Sequence, residues 1–372
     1  MFKVVADENI PMAADVFSSF GEVQLVDGRS LCAGDLEGAD ILLVRSVTKV
    51  NKDLLGGTSV RFVGSATAGF EHIDREYLMG QGIVFALASG ANAQSVVEYV
   101  FAVLANIDDR LEALLSQEQT LGVVGCGNVG RKLIETARAL GMRVSWFDPF
   151  VEPSECSSEL DSVLKSDVVS LHCELTSDGP HPTHHLLNRA RLEGFSRDQL
   201  LINAARGAVI DNAALLSLCE QGKSPQLVLD CWENEPRIER RLIPFCSLAS
   251  PHIAGYSTDG KWKATQMLFE AAAKQFGLET PLFVFPKRES FFIETKLPAA
   301  EVIRESLSRV YDIKGDDLRF REAAEGNMNP QWFDDLRREY PVRRELADGG
   351  VRITQGGISD QVTKAFRLRL EE

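Results

Sequence analysis

Three short segments carry side chains suited to moving a proton beside a held anion: NAARGAVID (203–211) with Arg206, LDCWENEP (229–236) with Glu235, and SPHIAGY (250–256) with His252. A guanidinium keeps its charge at any working pH and grips a carboxylate through two parallel hydrogen bonds. An imidazole takes up and releases a proton near neutrality. A carboxylate beside it orients the ring and favours the imidazolium. Together these are the parts needed to hold a hydroxy acid and take its hydroxyl proton while hydride leaves the same carbon. Taken singly each has an ordinary reading, as a turn-stabilising arginine, a solvated acid before Pro236 and a part-buried loop histidine.

A hydride needs an acceptor, and the stretch LGVVGCGNVGRKLIETARALGMRVSWFDP (121–149) has the pattern of a dinucleotide site. An apolar run enters Gly125-Cys126-Gly127-Asn128-Val129-Gly130, a helical spacing of Leu133, Ile134, Ala137 and Leu140 follows, and a second apolar run ends on Asp148. The glycines permit a tight turn and a close approach of backbone to pyrophosphate, while the helix N-terminus presents free N–H groups to it. Asp148, 18 residues after Gly130, suits the ribose hydroxyls of NAD and would repel the 2′-phosphate of NADP. Gly125, Gly127, Asn128, Val129 and Asp148 are therefore candidate NAD contacts.

The elements that must position these groups alternate strand and helix. FKVVAD, VQLVD, ADILLVRS, RFVGSAT and IVFALAS read as parallel strands with crossovers before Gly90. Residues 90–115 have the length and spacing of one long connecting helix. After Asp148 the runs DVVSLHC, LLINAARG and LVLDCW continue the alternation, and the residues closing them sit where parallel sheets bind ligands. Residues 258–277 read as a helix stopped by Gly277. Beyond Pro281 the texture becomes FFIET, helices around 301–311 and 331–340, then VRIT and FRLRL. The expectation is two Rossmann-like or flavodoxin-like doubly wound parallel-sheet α/β domains plus a small C-terminal α+β domain. The first domain spans 1–90 and is completed by a returning helix, 258–280; the NAD domain spans 91–257, and the tail 281–372.

The chain has 372 residues, 44% hydrophobic and 25% charged, with a net charge of −14. That charge argues against general nucleic-acid or anionic-membrane binding. It is unevenly spread: 16 Lys and Arg face 17 Asp and Glu from Pro281 onward, against 24 and 37 in the first 280 residues. No apolar run approaches a membrane span, and Asp7 and Glu8 interrupt the start where a signal peptide needs an apolar core. The expected location is cytosolic. Seven cysteines without ligand spacing read as reduced thiols.

The ordered set SATAGFEHID, GANAQSVVEY, GCGNVGR, DVVSLHCELT, NAARGAVID, LDCWENEP and PHIAGYS resembles the D-isomer-specific 2-hydroxyacid dehydrogenases, from about Ala39 to Phe276. The resemblance implies NAD-dependent oxidation of a 2-hydroxy acid, with Arg206, Glu235 and His252 catalytic. It also implies Asp148 at the adenosine ribose and Thr176, Ala205, Asp230 and Gly255 beside the nicotinamide. Within the family, the start MFKVVADENIP, the loop LLVRSVTKVN and the tail of about 90 residues are most similar to members acting on a small phosphorylated hydroxy acid. By that resemblance Ser46, Thr67 and Tyr256 touch substrate, and the tail makes a homodimer.

Arg45, Lys49 and Lys52 lie in or beside one loop of an otherwise acidic chain, where a phosphate could be received; a solvated basic turn is the plain alternative. Arg45 is the strongest of the three. His181, His184 and His185 invite a metal, but no acid or cysteine stands at ligand spacing, so no metal site is expected. His172-Cys173 would point to opposite faces of a strand. Arg337-Arg338 and Arg343-Arg344 could reach a partner subunit's active site, but similar numbers of acids surround them, and a solvated or dimer-rim set is the default reading. The rivals are another 2-hydroxyacid dehydrogenase, such as one acting on phosphoglycerate, and a non-enzymatic NAD(H)-sensing protein.

Overall fold

The apolar runs before Gly90 become strands β1 (Phe2–Asp7), β2 (Gly21–Val26), β3 (Ile41–Val44), β4 (Phe62–Ser65) and β5 (Val84–Leu87), all parallel and ordered β2-β1-β3-β4-β5. Alternation along a strand sends neighbouring side chains to opposite faces. Ile41 and Leu43 accordingly join one core with Phe17, Phe20 and Phe269, and Leu42 and Val44 join another with Leu36, Val50 and Leu78. Both faces are covered, which explains why β3 is apolar at every position. The returning helix Thr258–Phe276 contributes Ala264, Leu268 and Ala272 to the first core. It starts on Ser257, whose side chain accepts from Gly260 N, and stops at Gly277 in the left-handed region at φ 65°.

The computed structural model describes residues 1–67, 69–151, 158–280, 286, 291–293, 297–326, 329, 331–346, 351–353 and 359–370, with side chains except at 291–293, 351–353, 359–360 and 369–370. It divides into two units, Met1–Asn92 with Ser257–Lys287, and Ala93–Tyr256 with Arg288–Glu372. Pro281, Glu294, Thr295 and Thr354, where the expected domain change and the ends of FFIET and VRIT fall, lie outside the described residues.

The second unit holds β6 (Thr120–Val124), β7 (Arg143–Phe147), β8 (Val168–Leu171), β9 (Leu200–Asn203), β10 (Gln226–Leu229) and β11 (Cys246–Ala249). They are parallel in the order β11-β10-β9-β8-β6-β7. The single helix expected over 90–115 is instead two, Ala93–Asn106 and Arg110–Leu115. The break falls at Asp108, which takes φ 45° and whose carboxylate accepts from Gln226 Nε2 at 3.0 Å. Every residue of Ala93–Asn106 except Asn106 is buried. A helix buried on every side needs cover all round, here from the helix Asn128–Ala139 and from the tail.

The tail is built onto this unit. Its helix Ala299–Ser308 places Ile303 and Leu307 in the same core as Val97, Val100 and Leu133, each worth about 1.5–3 kcal/mol of burial. Helices Ile313–Ala324, Trp332–Arg338 and Ser359–Phe366 follow, and β12 (Phe291–Ile293), β13 (Val351–Ile353) and β14 (Arg369–Leu370) form a parallel three-stranded sheet. Among the described residues no helix is long and apolar enough to cross a membrane.

Candidate active site

Every candidate group of the second unit follows the C-terminal end of a parallel strand, the edge at which such sheets bind ligands. β6 runs into the glycine turn, β7 into Asp148, β9 into Arg206, β10 into Asp230 and Glu235, and β11 into His252. The switch in strand order lies at β6, between β7 and β8.

The glycine turn is shaped by sterics. Gly125 takes φ +94°, and a Cβ on Gly130 would sit 1.8 Å from the Gly125 carbonyl oxygen. A Cβ on Gly127, by contrast, would meet nothing within 4 Å. Gly127 is the N-cap of the helix Asn128–Ala139, the kind of helix start at which dinucleotide folds hold a pyrophosphate. Asn128 and Val129 open this helix. Asp148 Oδ2 accepts from Cys126 N at 2.7 Å and Oδ1 from Phe150 N at 2.9 Å, so the acid is fixed against the turn.

Gly207 brings Arg206 to Glu235. A Cβ there would lie 1.8 Å from the Trp232 carbonyl carbon, so only glycine lets the two loops touch. Arg206 is half-buried, and its Nη1 donates to Ala205 O at 2.9 Å. Glu235 Oε1 accepts from Trp232 N at 2.8 Å, and Oε2 lies 2.7 Å from His252 Nδ1. Burial raises the Glu235 carboxyl, but the His252 charge and hydrogen bond, Trp232 N–H and Arg337 outweigh it and hold the group below the usual value. With Nδ1 facing a carboxylate, Nε2 is the nitrogen left to work on a ligand.

Asp230 positions His252. Its buried carboxylate accepts from Ser250 Oγ at 2.6 Å, Ile253 N at 2.7 Å and Ala254 N at 3.0 Å, while its carbonyl accepts from His252 N at 2.7 Å. Gly255 and Tyr256 follow on the same loop, half-buried. Thr176 is tied to Thr183, whose Oγ1 accepts from Thr176 N at 2.8 Å, and Ala205 is buried.

The tail supplies two residues whose default sequence reading is a solvated or dimer-rim set. Arg343 is buried and donates to Ser95 O at 2.7 Å and Ala254 O at 3.1 Å, bracing the loop after His252. Arg337 lies with its Cζ 5.5 Å from the Tyr256 ring centre and within the field of Glu235. Doubled arginines among acids give no local sign of burial, and the signal exists only in the packing.

Other pairs resolve on the same geometry. Burial pushes the half-buried His172 imidazole down to about 3 and the Cys173 thiol up to about 12, so neither is a reactive group. Burial, with the Asp230 and Glu235 charges, drives the Cys231 thiol far up, so it stays protonated beside Glu235 and His252. His185 Nε2 lies 2.7 Å from Glu233 Oε1, and His184 joins that group. The fold thus supplies an acid that sequence spacing did not reveal, although Glu233 also accepts from Asn212 N at 3.1 Å as part of the loop scaffold.

In the first unit, Ser46 is exposed just after β3, and Thr67 Oγ1 stands 2.8 Å from Ser65 Oγ, which also bonds His72 Nε2 at 2.9 Å. Arg45 Nε is paired with the buried Asp7 at 3.0 Å, across the β1–β3 switch. Lys49 and Lys52 are exposed. Sequence reasoning missed Lys261, in the first turn of the returning helix, which burial and the Arg45 charge push below the ordinary lysine value.

A glycine turn fronting a helix N-terminus, with an arginine and a histidine–carboxylate pair on the same sheet edge, defines an NAD-dependent dehydrogenase. The NAD-binding domain description of the D-isomer specific 2-hydroxyacid dehydrogenases matches residues 96–254, and a domain of unknown function matches 288–365. The chain belongs to the D-isomer specific 2-hydroxyacid dehydrogenase family. It is 42% identical to the erythronate-4-phosphate dehydrogenase of Marinobacter nauticus, over 98% of this chain and 97% of that one. It is 41% identical to the enzyme of that name from Acinetobacter baumannii, over 94% and 99%. A crystal structure of D-lactate dehydrogenase from Aquifex aeolicus, complexed with NAD and lactic acid, matches with TM-score 0.61 at 25% identity, over 74% of this chain and 96% of that one.

Proposed function

We propose that the chain oxidises 4-phospho-D-erythronate to 2-oxo-3-hydroxy-4-phosphobutanoate with NAD, as a step of pyridoxine formation. The observation that carries the chemistry is the 2.7 Å contact between His252 Nδ1 and Glu235 Oε2, which leaves Nε2 to accept a proton. The substrate is supported by the name shared by relatives more than 40% identical over nearly the whole chain.

When bound, NAD would supply the acceptor for the C2 hydride; Gly125, Gly127, Asn128 and Val129 would hold its pyrophosphate, Asp148 its ribose, and Thr176, Ala205, Asp230 and Gly255 would border its nicotinamide. The carboxylate of the substrate is clamped by Arg206, whose fork matches it bidentately. His252 Nε2 takes the C2 hydroxyl proton, and the ionised Glu235 stabilises the imidazolium formed. Ser46, Thr67, Arg45 and Tyr256 complete the substrate contacts, and residues 281–372 pair two copies into a homodimer. The net result is a carbonyl at C2, NADH and one released proton.

The test is appearance of reduced-nicotinamide absorbance when purified protein and NAD are mixed in parallel with 4-phospho-D-erythronate, 3-phospho-D-glycerate or D-lactate. A signal preferring 4-phospho-D-erythronate supports the reading. A preference for another acid moves the substrate, and no signal with any acid, despite measured NAD binding, leaves the NAD(H)-sensing alternative.

A further inference from the structure

The substrate proposed above carries a phosphate, and the cation offered by the sequence for it, Arg45, is already paired with Asp7 at 3.0 Å. A second guanidinium stands in the catalytic unit itself. Arg337 lies in the tail helix Trp332–Arg338, its side chain 23% exposed, with Cζ 5.5 Å from the Tyr256 ring centre and a hydrogen bond to the Tyr256 hydroxyl. Its other neighbours are Glu235, whose carboxylate contacts His252, and Asp334, 3.8 Å from Nη1. Its Nε is buried and has no hydrogen-bond partner among the described residues. A buried N–H without an acceptor is rare and unfavourable, and a ligand oxygen is one way to satisfy it.

The placement is built into the packing. Trp332 stacks on Phe320 at 5.4 Å, and Phe320 packs on Trp232 at 5.3 Å, in the segment that carries Glu235. Trp232 Nε1 in turn donates to Ser250 O at 2.8 Å, in the segment that carries His252. The helix that presents Arg337 is therefore anchored to the loops that present the acid and base. Tyr340, past the end of that helix, packs edge-on against Tyr256 at 5.8 Å and closes the same side.

We infer that Arg337 binds the phosphate of the substrate, so that the domain of unknown function at 288–365 completes the active site of its own chain and selects phosphorylated acids. The phosphorus of 4-phospho-D-erythronate is four covalent bonds from C2, so the phosphate stands apart from the carbon held at His252, and the Arg337 charge acts on Glu235, which contacts that histidine. A planar fork with a spare Nε–H suits two phosphate oxygens.

This rests on the proposed function, and the experiment separates the two. Wild type, Arg337→Met and Arg337→Lys are assayed at saturating NAD with 4-phospho-D-erythronate and with D-erythronate, the NAD-induced rise in Tm serving as the check of fold. Arg337→Met is expected to raise KM for the phosphorylated acid about 10- to 100-fold, the scale of one charged hydrogen-bonded contact. kcat stays within about threefold, KM for D-erythronate is unmoved, and Arg337→Lys recovers part of the loss. Equal losses with both acids, a fall confined to kcat, or no change would overturn the inference, the first two assigning Arg337 to support of Glu235. If wild type oxidises neither acid, the functional reading fails separately. Inorganic phosphate then judges Arg337: a calorimetric Kd weakened in Arg337→Met upholds the site, and an unchanged Kd or absent binding by wild type overturns it.

Discussion

Glu235 Oε2 lies 2.7 Å from His252 Nδ1, while Oε1 is held by Trp232 N at 2.8 Å, so the acid is anchored on one side and aimed at the imidazole on the other. Glu235→Gln keeps the size and the anchoring acceptor but removes the charge that favours the proton-bearing ring. The expected outcome is a drop in kcat of at least about tenfold, within the range of positioned acid–base groups. The acid limb of the kcat/KM profile moves to lower pH. A lower kcat with an unmoved limb would reduce Glu235 to an orienting role.

The glycine turn makes two opposite demands that single substitutions separate. At Gly127 an added methyl meets nothing within 4 Å, whereas at Gly130 it would lie 1.8 Å from Gly125 O. Gly127→Ala is expected to leave the Tm of the cofactor-free protein within about a degree and to weaken NAD binding at least ~10-fold. Gly130→Ala is expected to lower the Tm itself. Calorimetry and NAD titration of both variants check the contrast, and normal NAD affinity in Gly127→Ala would place the pyrophosphate elsewhere.

Glu98 is an acid buried where the tail meets the second unit. Its Oε1 accepts from Gln94 Nε2 at 2.7 Å and Leu346 N at 2.9 Å, and Oε2 has no partner among the described residues. Burial, then the Glu345 charge, pushes it up to about 7 from the ordinary 4.5. Because the folded value is the higher one, this carboxyl contributes its full stability below about pH 4.5 and loses it as pH rises towards about 7. Glu98→Gln keeps the acceptor and cannot ionise. It is therefore expected to raise Tm by a few degrees near pH 8 and to have no effect near pH 4.5. A gain of the same size at both pH values would rule out the ionisation.

Much of this arrangement is legible in the sequence because it is local. The strands of the first unit are short apolar runs, the glycine turn is a contiguous fingerprint, and Arg206, Glu235 and His252 each follow the end of a strand. What is hidden depends on distant contacts. The helix break at Asp108 answers to Gln226, and the placement of Arg337 depends on Trp332 and Phe320 meeting Trp232. In the first turn of the helix Ile313–Ala324, Gly315 N–H donates to the Asp312 side chain, a glycine that weakens the helical signal while making the cap. Local pattern carries no record of such pairings.

The central claim is that hydride leaves C2 of the acid for NAD while His252 takes the hydroxyl proton. The measurement that reaches it most directly is mass analysis of the reduced cofactor formed from 4-phospho-D-erythronate deuterated at C2, by wild type and by His252→Ala. The account predicts NADH carrying the deuterium with wild type and a rate at least ~100-fold lower with His252→Ala. Reduced cofactor without the label, or near-normal turnover without the imidazole, would contradict it.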